Sequence, residues 1–182
     1  MSFSTTLYRI SEDLFDKLKS GSIKSSQLVS KSKGFATFQD STDAILVILK
    51  SGSSRPDGCD IDEIFSPGES FGSISDEEFQ KLMDAGNYKE IERITDSTFY
   101  FLTPDKVAVL NSFLSALNMS EVKSLYDPDV LNAKNIYPAL WTLDDDRRNA
   151  FNFNHLRNEL ESLKEIFEQA SIQKDYILSF SG

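Results

Sequence analysis

The chain has 182 residues, 40% of them hydrophobic, 26% charged and 12% aromatic, with eight Gly, five Pro and one Cys. That length suits one hydrophobic core, the aliphatic and aromatic content exceeds what a disordered chain carries, and a single thiol cannot staple a disulfide scaffold. Nineteen Lys plus Arg against twenty-nine Asp plus Glu leave a formal charge of −10, which argues against nucleic acid as a partner because that affinity rests on cations displacing condensed counterions.

The longest apolar run, Ala44 to Leu49, falls short of the roughly 18 residues that a membrane span needs. Met1 to Thr6 has neither a basic leader nor an apolar signal core, so a soluble cytoplasmic protein with one domain over residues 1–182 is expected.

Thr5 to Ile10 is β-branched and aromatic and reads as a strand. Ser11 then offers an N-cap, Glu12 and Asp13 suit a first helical turn, Leu14, Phe15 and Leu18 fall at helical spacing, and Gly21 stops the helix. The polar stretch from Ser20 to Lys33 is compatible with a short helix or a loop; the basic stretch Lys17 to Lys33, interrupted by Ile23, Leu28 and Val29 without aromatic partners, reads as a solvated helix face rather than an RNA or lipid patch. Asp43 to Leu49 is apolar nearly all round and predicts a helix packed on most of its surface. Loop signals follow at Ser51 to Gly58 and at Ser66-Pro67-Gly68, on either side of the apolar piece Ile61 to Phe65.

Ser75-Asp76-Glu77-Glu78 has the capping-box form and predicts a helix from Asp76 to Ala85 that ends near Gly86. Residues 97–102 form the clearest strand. Thr103-Pro104-Asp105 turns it directly into a helix carrying the stripe Val107, Leu110, Leu114 and Leu117; Asn118 ends that helix and Ser120 caps a shorter one through Leu125. A last long helix is expected after Asp144-Asp145-Asp146, which would cap it, and should run to Ala170. Its apolar residues Phe153, Leu156, Leu160, Leu163, Phe167 and Ala170 are spaced 3, 4, 3, 4, 3, one continuous face over roughly 25 Å. Residues 175–181 close the chain as a strand.

Familiar catalytic machinery is hard to assemble from these residues. His155 is the only histidine and sits on the flank of the long helix, where a structural or solvent-facing role is the ordinary one. Cys59 lies between Asp57 and Asp60, carboxylates that favour the thiol over the thiolate. One Cys and one His cannot form a zinc or iron–sulfur site. The acidic clusters at 57–63 and 144–146 lack a DxDxDG pattern, and Pro67 to Gly72 lacks the lysine of a phosphate loop. No catalytic residue, metal or cofactor is therefore assigned.

The most distinctive stretch is Asn135-Ile136-Tyr137-Pro138-Ala139-Leu140-Trp141. Tyr-Pro admits a cis bond, and the proline holds Tyr137 extended, so that Tyr137 and Trp141 take fixed positions beside the long helix. Such an aromatic floor serves as a packed corner, a pocket or a protein-binding hot spot. The candidate binding residues are Tyr100, Tyr137, Trp141 and Asp144.

Several of these segments together resemble the YfbM-like family of bacterial proteins, a domain of unknown function. The resemblance is carried by Thr98 to Val107, by Ile136-Tyr137-Pro138 and Trp141, and by a long helix with Leu160 and Phe167-Glu168-Gln169-Ala170 before a terminal strand. The first half departs from it: where family members carry a Trp-Leu-His segment ending in Leu-Thr-Gly, residues 41–52 have neither Trp nor His, and a double glycine is reduced to Pro67-Gly68-Glu69. The resemblance implies an α+β fold, a small mostly antiparallel sheet packed against several helices, and no established activity.

Two functions are expected from these observations. The first is a non-catalytic protein-binding module whose acidic surface meets a basic partner, as an immunity protein meets a toxin. The second is a small-molecule-binding protein or enzyme with an aromatic pocket around Tyr137 and Trp141 and a carboxylate such as Asp144.

Overall fold

The computed structural model describes residues 4–52 and 58–181. Its strands are β1 (Ser4–Ile10), β2 (Gly34–Gln39), β3 (Glu69–Phe71), β4 (Phe99–Leu102) and β5 (Tyr176–Ser181). The helices are α1 (Glu12–Lys19), α2 (Leu28–Lys31), α3 (Thr42–Ser51), α4 (Asp76–Asp84), α5 (Tyr88–Ser97), α6 (Pro104–Ser115), α7 (Met119–Leu125), α8 (Pro128–Ala133) and α9 (Phe153–Gln173), with 3-10 turns at Ser25–Gln27 and Ile61–Ile64. Most of the loop expected over 51–58 lies outside the described residues.

Local chemistry sets most helix starts. The Ser11 hydroxyl accepts from the Leu14 N–H, the Thr103 hydroxyl accepts from Lys106 with Pro104 in the first turn, and Ser75 and Glu78 form a reciprocal capping box. These side chains satisfy backbone N–H groups that have no partner within the helix. Two expected boundaries are corrected. Helix α6 ends at Ser115, and Asn118, not Ser120, caps α7 by accepting from the Ser120 N–H. Helix α9 is capped by Asn152, whose amide oxygen accepts from the His155 N–H and whose NH₂ donates to the Asp146 carbonyl at 2.8 Å. The three aspartates therefore sit in the preceding loop and do not cap α9.

The five strands form one antiparallel sheet in the order β2-β1-β5-β4-β3. The first and last strands of the chain are neighbours, in register from Thr5↔Ser181 to Ile10↔Tyr176. Alternation divides the sheet into two apolar faces. Leu7, Phe38, Leu102 and Ile177 pack with α3, α6 and α9 in the larger core, and Ile10, Phe99 and Leu178 pack with Leu14, Phe15 and Leu18 of α1 in a smaller one. Strand β5 is covered on both sides, so the consecutive Ile177 and Leu178 are both fully buried.

Helix α9 fits the expected seam: Leu156, Leu160, Leu163, Phe167 and Ala170 are all fully buried. It ends at Lys174 in the left-handed conformation (φ 53°), which turns the chain into β5 with Asp175 at the join. The Asp175 carboxylate is buried and faces Lys33 at 2.7 Å and Arg9 at 3.6 Å, tying the α9–β5 turn to β1 and to the start of β2.

Candidate functional site

The four candidate binding residues do not converge on one pocket. Trp141 turns inward and is 2% exposed. Its indole N–H donates to the Ile136 carbonyl at 3.1 Å, and the Asn132 side chain brackets its main chain, accepting from the Trp141 N–H at 2.9 Å and donating to the Trp141 carbonyl at 2.8 Å. Tyr126, Phe151 and Trp141 stack edge-on around this corner. Asp144 is exposed on the α8–α9 loop, where it accepts from the Asp146 N–H at 2.7 Å and from the Asn149 amide. Its neighbour Asp146 is held below the ordinary carboxylate range by the Arg148 guanidinium.

Tyr126 stiffens the same corner. Its hydroxyl donates to the Thr142 carbonyl at 2.8 Å, and burial pushes the phenol up to about 12. The folded value lies above the unfolded one, so this group supports the fold fully below about pH 10, and the support is lost as pH rises from there through about 12. An ultraviolet titration should show one tyrosine ionising last, near pH 12. Y126F should remove that step and cost about 1 kcal/mol in urea unfolding.

Tyr100 and Tyr137 line two connected depressions. The larger is a groove of about 840 Å³ where β1 begins and β5 finishes, walled by Tyr8, Phe180, Tyr100, Ser66 and the 3-10 turn at Ser25–Gln27. The smaller, of about 370 Å³, holds Tyr137 beside Asp40 and Asp43. Ser4, Phe65, Ser66 and Ser181 border both. Trp141 lines neither. The Tyr137-Pro138 bond is cis, and Tyr137 is half-buried. Tyr100 is 49% exposed. The rings of Tyr8 and Phe180 meet edge-on at 5.7 Å. Among the described residues, none that lines the larger groove carries a formal charge.

His155 belongs to a half-buried chain of hydrogen bonds. Its Nδ1 accepts from the Phe151 N–H at 3.0 Å, its Nε2 meets Glu159 Oε1 at 3.2 Å, and the fully buried Ser41 donates to the other Glu159 oxygen. Because Nδ1 accepts, the imidazole proton sits on Nε2 and points at the carboxylate. Ser41 donates to glutamate and not to imidazole, so the set lacks the contact that activates a serine nucleophile. Cys59 is half-buried against the larger core; of the two carboxylates expected beside it, Asp57 lies outside the described residues. Among the described residues no three His, Cys, Asp or Glu side chains are grouped to hold a metal ion, and no helix is long and apolar enough to cross a membrane.

A second feature was not legible as a surface. Helices α4 and α5 pair with one another across Gly86 as a hairpin, and no residue of α4 is buried. Phe79 is 42% exposed, Met83 40% and Tyr88 66%. In sequence the two helices hold seven Asp and Glu against three cations, Lys81, Lys89 and Arg93. The hairpin thus exposes three large apolar side chains on two helices with a net acidic sequence. The capping box at Ser75 pointed to α4, but α5 has no side-chain cap, so the pairing left no signal in the local sequence.

A family model described as a domain of unknown function, DUF1877, matches residues 1–180. The crystal structure of YfbM, a protein of unknown function from Escherichia coli, is similar over 97% of this chain and 98% of its own, with a TM-score of 0.59 at 13% identity. At that identity the likeness shows the fold alone. No curated protein matches the sequence.

Proposed function

The chain belongs to the DUF1877 family of unknown function, and from that premise we propose that it is a non-catalytic, cytoplasmic protein-binding module that captures a basic partner in the manner of an immunity protein. The observation that carries this reading is the α4–α5 hairpin. Three large apolar side chains, Phe79, Met83 and Tyr88, stand 40% or more exposed on a pair of helices whose sequence holds seven carboxylates against three cations. Scattered exposed apolar residues are ordinary, but several large ones on one helical hairpin with an excess of carboxylates suit a recognition surface. The excess of carboxylates steers a cationic partner and rejects acidic ones, and the exposed apolar side chains supply the burial that holds it. Glu78 and Glu90 sit below the ordinary carboxylate range, the first through hydrogen bonds from Ser75 and the second through Arg93.

The test compares immobilised wild-type protein with the double variant F79A/Y88A in native cytosol, at about 50 mM and about 500 mM salt. The expected result is a basic protein retained by the wild type at low salt, released at high salt and lost from the variant. Identical retention by both forms would overturn the reading. Both substituted side chains are exposed, so the variant should keep wild-type stability to within about 0.5 kcal/mol.

A further inference from the structure

We propose that the larger groove binds a neutral, polyhydroxylated ligand of the size of a short oligosaccharide, with the Tyr100 ring as its stacking platform. The lining residues carry no formal charge, although the protein as a whole has a charge of −10. A phosphorylated or carboxylated ligand would lose water there without gaining a counter-charge from the described residues, among which the nearest carboxylates for a cationic one are Asp40 and Asp43 of the adjoining recess.

The groove offers hydroxyls instead. Some are committed within the protein: Ser179 donates to the Phe65 carbonyl at 2.6 Å, Thr95 to Ile91, and Thr98 to Ile94. Others are unspent. Ser25, Ser26, Ser66 and the phenols of Tyr8 and Tyr100 line the groove and make no side-chain hydrogen bond among the described residues. Each such hydroxyl donates once and accepts twice, which matches the hydroxyls of a sugar, themselves donors and acceptors around a ring. The apolar C–H face of a pyranose lies flat on an aromatic ring, and the half-exposed Tyr100 presents one beside the edge-on pair Tyr8 and Phe180. The volume of about 840 Å³ lies in the range of small-molecule clefts and is generous for a single sugar ring.

The test is calorimetric titration and saturation-transfer NMR with maltotriose, cellotriose and the N-acetylglucosamine trimer, alongside inorganic phosphate and trilysine. The expected result is saturable binding of at least one trisaccharide, weakened about tenfold by Y100A and less by Y100F, which keeps the ring. Tyr100 is half-exposed, so circular dichroism should show both variants folded. F79A/Y88A should bind the sugar like the wild type, which separates the groove from the hairpin. Failure of all three sugars to saturate, insensitivity to Y100A, or saturable binding of phosphate or trilysine in their place would overturn the proposal.

Discussion

F167A is expected to lower the unfolding free energy by about 3–5 kcal/mol. Phe167 lies at the centre of the α9 seam, fully buried, with Leu160, Leu163 and Ala170 equally buried around it and with α6 as the main partner of its helix. Truncation removes the transfer free energy of the ring and leaves a cavity that neighbours on a 21-residue helix cannot collapse to fill. Against a typical total of about 5–15 kcal/mol, that loss is a large share. Urea unfolding followed by circular dichroism should show a lower midpoint with an unchanged slope. F167L keeps most of the volume and should cost about 1.5 kcal/mol or less. A midpoint unmoved by F167A would mean that α9 is not seated on the sheet as described.

W141A should be comparably severe, at about 3–5 kcal/mol. The indole is 2% exposed, and its N–H is spent on the Ile136 carbonyl, so the alanine variant creates a void and leaves that carbonyl without its donor. Y137A, whose ring is half-buried at the recess, should cost about 1 kcal/mol, nearer the ordinary range for partly exposed positions. The contrast assigns different work to two aromatics four residues apart: Trp141 holds the corner, and Tyr137 faces the ligand-accessible side. Trp141 is also the chain's single tryptophan, so blue-shifted fluorescence in the native protein, moving red on unfolding, checks its burial directly. Equal destabilisation by the two substitutions would contradict this division.

Features written in local periodicity were readable from the sequence. Helix α9 announced itself through six apolar positions on one face, α6 through Thr103-Pro104, α4 through its capping box, and β1, β4 and β5 through runs of β-branched and aromatic residues. The edge strands were not readable. Strand β2, Gly-Phe-Ala-Thr-Phe-Gln, buries only Phe38 fully and exposes Phe35, and β3 has three half-buried residues; an edge strand takes its conformation from the neighbour it pairs with, more than from its own composition. The misplaced cap of α9 has a similar cause. Three aspartates look like a helix start, but Asn152 reaches both the His155 N–H and the Asp146 carbonyl, and that double reach depends on how the loop returns to the helix.

Fold class, the long seam, the central strands and the scarcity of reactive groups were thus decided by sequence alone, because each rests on residue types or on spacings within one element. Tertiary structure alone decided that β1 and β5 lie side by side, that Trp141 faces the core while Tyr137 faces a recess, that an uncharged groove opens at the end of the sheet, and that α4 and α5 pair with their aromatics outward. Each of these depends on which distant segments meet. A loop has no fixed period to tell one face from another, so only the packed chain determines which of its side chains reach solvent.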